Sequence, residues 1–186
     1  MGVEHLTLYA FSSENWKRPP EEVDDLMGLL RIYLRREIAQ LDSQQVRLRF
    51  IGSHDRLAPD IISLIEESEQ QTAANTGLVL VIALNYGSRS EIVRAARKLA
   101  EEAAAGSLQP SAIDEQTFAG RLETAEIPDP DLLIRTSGEK RLSNFLLWQS
   151  AYSEYYCTSA LWPDFDLEEV RKALMAYSQR RRRFGK

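Results

Sequence analysis

Two arginines, a lysine, a glycine and three hydroxyl-bearing residues are gathered in Arg135-Thr136-Ser137-Gly138-Glu139-Lys140-Arg141-Leu142-Ser143-Asn144. Guanidiniums bind anions through paired N–H donors, and a turn's backbone N–H groups add to them, so this composition suits a phosphate or diphosphate. Glu154, a short segment further on, is a carboxylate able to hold a divalent metal beside such an anion. A second group, Ser12-Ser13-Glu14-Asn15-Trp16-Lys17-Arg18-Pro19, combines two hydroxyls, an amide and cations. It can grip a phosphorylated ligand; equally, Ser13-Glu14-Asn15 can cap a helix while Trp16 packs on the core. A third, Asn85-Tyr86-Gly87-Ser88-Arg89, taken alone reads as an ordinary strand-to-helix turn with a surface arginine.

The elements around these groups give them a common location. Residues 5–12, 46–51, 78–84, 131–135 and 155–159 read as strands, and the unbroken apolar run at 78–84 marks a strand buried on both faces. Helical spacing of Val23, Leu26, Leu30, Tyr33, Leu34, Ile38 and Leu41 predicts a long amphipathic helix over 21–44, opened by Pro19-Pro20 and acidic residues. Further helices are predicted at 59–74, 90–105, 114–122, 145–153 and 166–182. Strands alternating with helices imply a single-domain α/β fold over residues 1–186, with a mostly parallel sheet of five strands and helices on both faces. All three polar groups follow parallel strands, on the sheet edge where such folds bind ligands. Their convergence favours a binding site over three unrelated turns.

Bulk properties exclude several alternatives. A net charge of −5 and a pI near 5.2 argue against general nucleic-acid binding. Cys157 is the single cysteine; it rules out an intramolecular disulfide and reads as a packed small hydrophobe in an apolar strand. His5 and His54 are too few and too separated for a metal site. The apolar runs are too short to span a bilayer and the first residues lack a signal-peptide pattern, which predicts a cytoplasmic protein. No Ser–His–Asp order, P-loop or GxGxxG pattern occurs. Arg180 to Arg183 read as a solvated helix end, and Trp162-Pro163-Asp164-Phe165-Asp166 as a packed turn capping the last helix.

Taken together, these segments resemble the cis-prenyltransferase family, and within it the bacterial undecaprenyl diphosphate synthases (isoprenyl transferases). The likeness runs through Tyr9-Ala10-Phe11-Ser12-Ser13-Glu14-Asn15-Trp16 with Arg18-Pro19, Asn75-Thr76-Gly77, Asn85-Tyr86-Gly87 and Asp131-Leu132-Leu133-Ile134-Arg135-Thr136. It continues in Gly138-Glu139, Arg141, Ser143-Asn144-Phe145-Leu146-Leu147-Trp148-Gln149, Ala151-Tyr152-Ser153-Glu154, Leu161-Trp162-Pro163-Asp164-Phe165 and Arg182-Arg183-Phe184-Gly185. The resemblance implies sequential condensation of isopentenyl diphosphate onto an allylic diphosphate such as farnesyl diphosphate, with new double bonds in cis. The product would be a long-chain polyprenyl diphosphate, a precursor of a cell-wall lipid carrier. It implies that Arg135, Arg141 and Ser143, with Leu142 between them, grip isopentenyl diphosphate, and that Glu154 coordinates Mg²⁺. Ser12, Ser13, Glu14, Trp16 and Arg18 would line the substrate site. Asn15 matches the position assigned as proton acceptor, although a neutral amide is better suited to positioning a pyrophosphate oxygen or water. Leu26, Leu30, Leu34, Ile62 and Ile65 would line a tunnel for the growing chain, or simply pack the core. A homodimer in transient contact with the membrane surface is implied as well.

There are departures. Ser137 and Ser88 stand where the family often has glycine, and Lys140 where histidine is common. The family's Asp-Gly-Asn-Gly-Arg segment, whose aspartate shares the Mg²⁺ and whose other residues hold the allylic diphosphate, is absent from these 186 residues. The expectation is therefore an N-terminally incomplete domain, inactive or nearly so and prone to association. The alternative is a non-catalytic subunit that binds diphosphate and completes a partner's site.

Overall fold

The structure, a computed structural model, describes residues 2–180, so the Arg182-Arg183-Phe184-Gly185 motif lies outside the described residues. The chain divides into two compact units, Met1–Pro128 and Asp129–Lys186.

In the first unit the order is β1 (His5–Ser12), α1 (Pro20–Ser43), β2 (Arg47–Ile51), α2 (Pro59–Thr72), β3 (Val79–Tyr86), α3 (Ser88–Ala104) and the short α4 (Glu115–Ala119). Strand order is β1-β3-β2 with both pairings parallel. The most apolar strand takes the centre, where both faces are covered, and Val81, Ala83, Leu84 and Tyr86 are buried there. Prolines open α1 and α2 at the first turn, where a missing N–H costs nothing. Phe11, Val23, Met27, Leu57, Ile61, Ile65 and Leu84 form the core between these helices and the sheet. Tyr33 departs from the expected apolar face of α1: it is 55% exposed, with the Arg36 guanidinium 5.5 Å from its ring centroid. It lies on a side of the helix shared with Leu29 and Ile32, both also exposed, while Leu26, Leu30 and Leu34 pack on the core.

A buried polar network ties α3 to the sheet. Glu91, 1% exposed, accepts from the Tyr86 hydroxyl at 2.6 Å and from the Glu123 N–H at 3.0 Å. Burial and the neighbouring carboxylate push the Tyr86 phenol far above its ordinary pKa, so it remains a neutral donor. Glu123 in turn accepts from the Gly52 N–H at 2.6 Å and from Arg94 at 2.5 Å.

The second unit contains β4 (Leu132–Arg135), β5 (Glu154–Cys157) and α5 (Leu167–Ser178). Asp166 caps α5 by accepting from the N–H groups of Glu168 and Glu169, both at 3.0 Å. Strands β4 and β5 pair in parallel. The five expected strands are thus present and parallel, hydrogen-bonded as a three-stranded and a two-stranded ladder rather than as one.

Three expectations fail here. The helix predicted over 145–153 is a chain of turns: Ser143, Asn144 and Leu146 have φ values of 51°, 63° and 44°, which a right-handed helix cannot contain. Cys157 is exposed, because β5 alternates and Tyr155 and Cys157 take the more accessible side. Trp162 stacks on Phe165 at 6.2 Å but is 61% exposed, so the Trp162–Asp164 turn is not a packed one.

Candidate functional site

In the first unit the polar residues collect where β1, β2 and β3 end. Ser12 closes β1 opposite Tyr86 of β3, after an irregularity at Ala10 in the β1–β3 register. Residues Ser13–Lys17 then form one 3₁₀ turn. Asn15 Oδ1 accepts from the Ser12 N–H at 2.8 Å, which fixes the turn and the orientation of the amide. What Asn15 presents beyond the loop is its Nδ2 donor, so the arrangement suits a positioning amide and not a base. The Ser13 hydroxyl donates to Glu14 at 3.1 Å, and Arg18 pairs with Glu22 at 2.5 Å on the exposed start of α1. The residues of this segment are at once a cap, a core contact and a row of polar groups.

Trp16 shows that combination best. Its ring meets Phe11 edge-on at 5.1 Å and packs on the core, while Nε1 donates to Asn85 Oδ1 at 2.7 Å. Asn85, 7% exposed and at φ 49°, donates from Nδ2 to the carbonyls of Ser53 and Asp55, both at 2.8 Å. The guanidinium of Arg56 lies 4.4 Å from the centroid of the Trp16 ring. Asn85 was legible only as part of a turn after β3; its joining of three loops follows from a fold in which β3 lies between β1 and β2. Arg56 carried no signal at all. Arg89 is exposed on α3.

Among the tunnel candidates, Leu26, Leu30, Leu34 and Ile62 are half-buried against the core, whereas Ile65 is 1% exposed and wholly packed. A cleft of about 220 Å³ opens between α1 and α2; Leu34 is the candidate that reaches it, beside Ile38 and Leu64.

In the second unit Arg135 ends β4. Its Nε is buried without a hydrogen-bond partner among the described residues. Buried donors are usually matched, so an acceptor from an ordered water or a ligand fits here. The following loop holds its shape by donating from Ser137 N to Ala160 O and from Gly138 N to Thr158 O, both at 2.8 Å, with Ser137 and Gly138 at positive φ. Arg141 is exposed and paired with Glu139. Leu142 is half-buried and Ser143 exposed, and Leu142 O accepts from Phe145 N at 3.2 Å. Glu154 begins β5. The register sets it against Leu132 and Arg135 against Cys157, so glutamate and arginine occupy opposite ends and opposite faces of this ladder. That is three residue steps, about 10 Å along the strand. Glu154 is ion-paired with Arg180, which also donates to Tyr155 O at 2.7 Å; this replaces the solvated helix end expected for Arg180. Among the described residues no three His, Cys, Asp or Glu side chains are grouped for a metal. A single carboxylate such as Glu154 would fit Mg²⁺ only together with the oxygens of a phosphorylated substrate. Among the described residues no helix is long and apolar enough to cross a membrane.

Comparison with known proteins places the sequence and the fold in one family. Residues 1–185 match the Prenyltransf (undecaprenyl diphosphate synthase) family model. The isoprenyl transferase of Agrobacterium fabrum is 55% identical over 184 residues, covering 99% of this chain and 74% of its own length. That of Geobacter sulfurreducens is 48% identical, with 100% and 76% covered. Lavandulyl diphosphate synthase from Lavandula x intermedia, solved in complex with dimethylallyl diphosphate, superposes with a TM-score of 0.96 at 41% identity, covering 100% of this chain and 80% of that one. An α/β fold of parallel strands with this loop chemistry, matched along its length, makes the chain a member of the isoprenyl transferase family of prenyl-transferring enzymes.

Proposed function

We propose that the segment from Arg135 to Ser143 binds the diphosphate of isopentenyl diphosphate for condensation, in cis, onto an allylic diphosphate such as farnesyl diphosphate. The observation that carries this is the buried, unpartnered Arg135 Nε at the end of a parallel strand, with Arg141 a loop away. Arg141 meets the same diphosphate by leaving Glu139, an exposed pair of little energetic weight. Ser143 donates its hydroxyl, and Leu142 shields the anion from water. Ser12, Ser13, Glu14, Trp16 and Arg18 line the allylic substrate, with Asn15 orienting a pyrophosphate oxygen or water. Glu154, once released from Arg180, would hold Mg²⁺, which when bound would supply positive charge against the leaving diphosphate. Repeated condensation yields a long polyprenyl diphosphate, in keeping with a cell-wall lipid carrier precursor made in the cytoplasm by a homodimer and delivered at the membrane surface.

Turnover with isopentenyl diphosphate, farnesyl diphosphate and Mg²⁺ tests this, run beside the Agrobacterium fabrum relative. Because the 186 residues contain no Asp-Gly-Asn-Gly-Arg segment, they are expected to bind isopentenyl diphosphate and to turn over at least about 100-fold more slowly than the relative. Turnover restored only on mixing with a second, complete homologue supports the reading as a diphosphate-binding subunit. Absence of isopentenyl diphosphate binding overturns the proposal.

A further inference from the structure

We infer that Arg56, outside every segment assigned above, is a further diphosphate-binding residue of the site around Ser12–Arg18, and that Asn85 is its positioning residue. The inference rests on the prenyl-transfer reading and extends it to the loop after β2. Strands β1, β2 and β3 are mutually parallel, so their C-terminal ends lie on one edge, and the loops leaving them are neighbours. Arg56 lies in the loop leaving β2, is exposed, and forms no ion pair among the described residues. It is held instead over the Trp16 ring at 4.4 Å. A guanidinium placed over an indole is fixed by its face and keeps its edge N–H donors available for an anion. A carboxylate partner would have occupied those donors, as Glu22 occupies Arg18.

The hold on Arg56 is built from buried parts. Asn85 fastens both sides of the stack: its Oδ1 accepts from the Trp16 indole N–H, and its Nδ2 donates to the carbonyls of Ser53 and Asp55 in the loop that carries Arg56. Gly52 lets the loop start this close, since a Cβ there would lie 1.8 Å from Leu84 O. Arg56 itself is at φ 71°, a conformation that non-glycine residues seldom adopt and that turns the chain at the stack. One amide therefore sets the relative placement of an aromatic from one loop and a cation from the next.

The test is calorimetric titration of the 186-residue chain with inorganic pyrophosphate and with farnesyl diphosphate, for wild type, Arg56→Ala, Arg56→Lys and Asn85→Asp. Asn85→Asp keeps the acceptor for Trp16 and loses both donors to the loop. Arg56→Ala is expected to weaken both ligands at least tenfold with an unchanged circular dichroism spectrum, and Arg56→Lys to recover part of that. Asn85→Asp is expected to weaken them comparably, and Arg56→Ala combined with it to add less than twofold. In ¹⁵N spectra the Trp16 indole resonance, assigned with Trp16→Phe, is expected to shift on pyrophosphate addition in wild type and not in Arg56→Ala. Binding by Arg56→Ala within twofold of wild type overturns the inference, as does absence of pyrophosphate binding by the wild type. Arg56-dependent pyrophosphate binding by a chain that fails to bind isopentenyl diphosphate sustains Arg56 as an anion site and overturns the prenyl-transfer reading instead.

Discussion

Arg135 and Arg141 flank one loop, and their present surroundings differ. Arg141 is exposed and paired with Glu139, so binding the proposed diphosphate would exchange one carboxylate for another anion. Arg135 holds a buried Nε with no partner among the described residues, a donor that an anion's oxygen can satisfy. Arg135→Lys keeps the charge and loses the planar fork, so the KM for isopentenyl diphosphate is expected to rise at least about tenfold, while that for the allylic substrate stays within about twofold. Steady-state kinetics with each substrate varied in turn would reveal the split. Glu91 shows the opposite economy, with both oxygens satisfied by Tyr86 and Glu123. Glu91→Ala removes the acceptor shared by the Tyr86 hydroxyl and the Glu123 N–H and is expected to cost about 3 kcal/mol, read as a lower urea midpoint.

At the scale of elements, most of what positions the site was readable in advance because periodicity records burial. The run at 78–84 marked β3 as buried on both faces, and Pro20, Pro59 and Asp166 marked helix starts. The segment after Ser143 was misread because its apolar residues, Phe145, Leu146, Leu147 and Trp148, have helical density. Spacing alone does not disclose that Ser143, Asn144 and Leu146 adopt left-handed backbone. Nor could it disclose Asn85, whose partners are 69, 32 and 30 residues away. Two changes probe the element joints. Gly52→Ala forces a Cβ into Leu84 O at 1.8 Å and is expected to cost at least about 2 kcal/mol by separating β2 from the end of β3. Asp166→Ala removes the α5 cap and is expected to cost about 1 kcal/mol. Chemical denaturation monitored by circular dichroism measures both.

For the whole molecule, charge pairing sets the acid limit. Asp60 is held below its ordinary 3.8 by hydrogen bonding from Arg31, and Asp114 by the Thr117 N–H. Glu102 and Glu169 are held below 4.5 by Arg121 and Lys172 respectively. A carboxylate with a lowered folded-state pKa contributes its stability above the unfolded value and loses it as pH falls through the folded one. Asp129, raised by burial, acts in the opposite sense, one group against four. The thermal midpoint of the first unit, which holds Asp60, Glu102 and Asp114, is therefore expected to change little from about pH 7 to 5 and to fall below about pH 4, whereas in the second unit Glu169 and Asp129 oppose one another. Scanning calorimetry across that range would contradict this if the midpoint rose on acidification.

Cys157 is the chain's single thiol, exposed, and its register partner is Arg135 on the adjacent strand. Paired residues of neighbouring strands project to the same face about 5 Å apart. A maleimide fluorophore would therefore attach at one place only, beside the guanidinium proposed to meet the diphosphate. The protein thus carries its own attachment point for an optical reporter that tests that proposal, with no engineered cysteine needed.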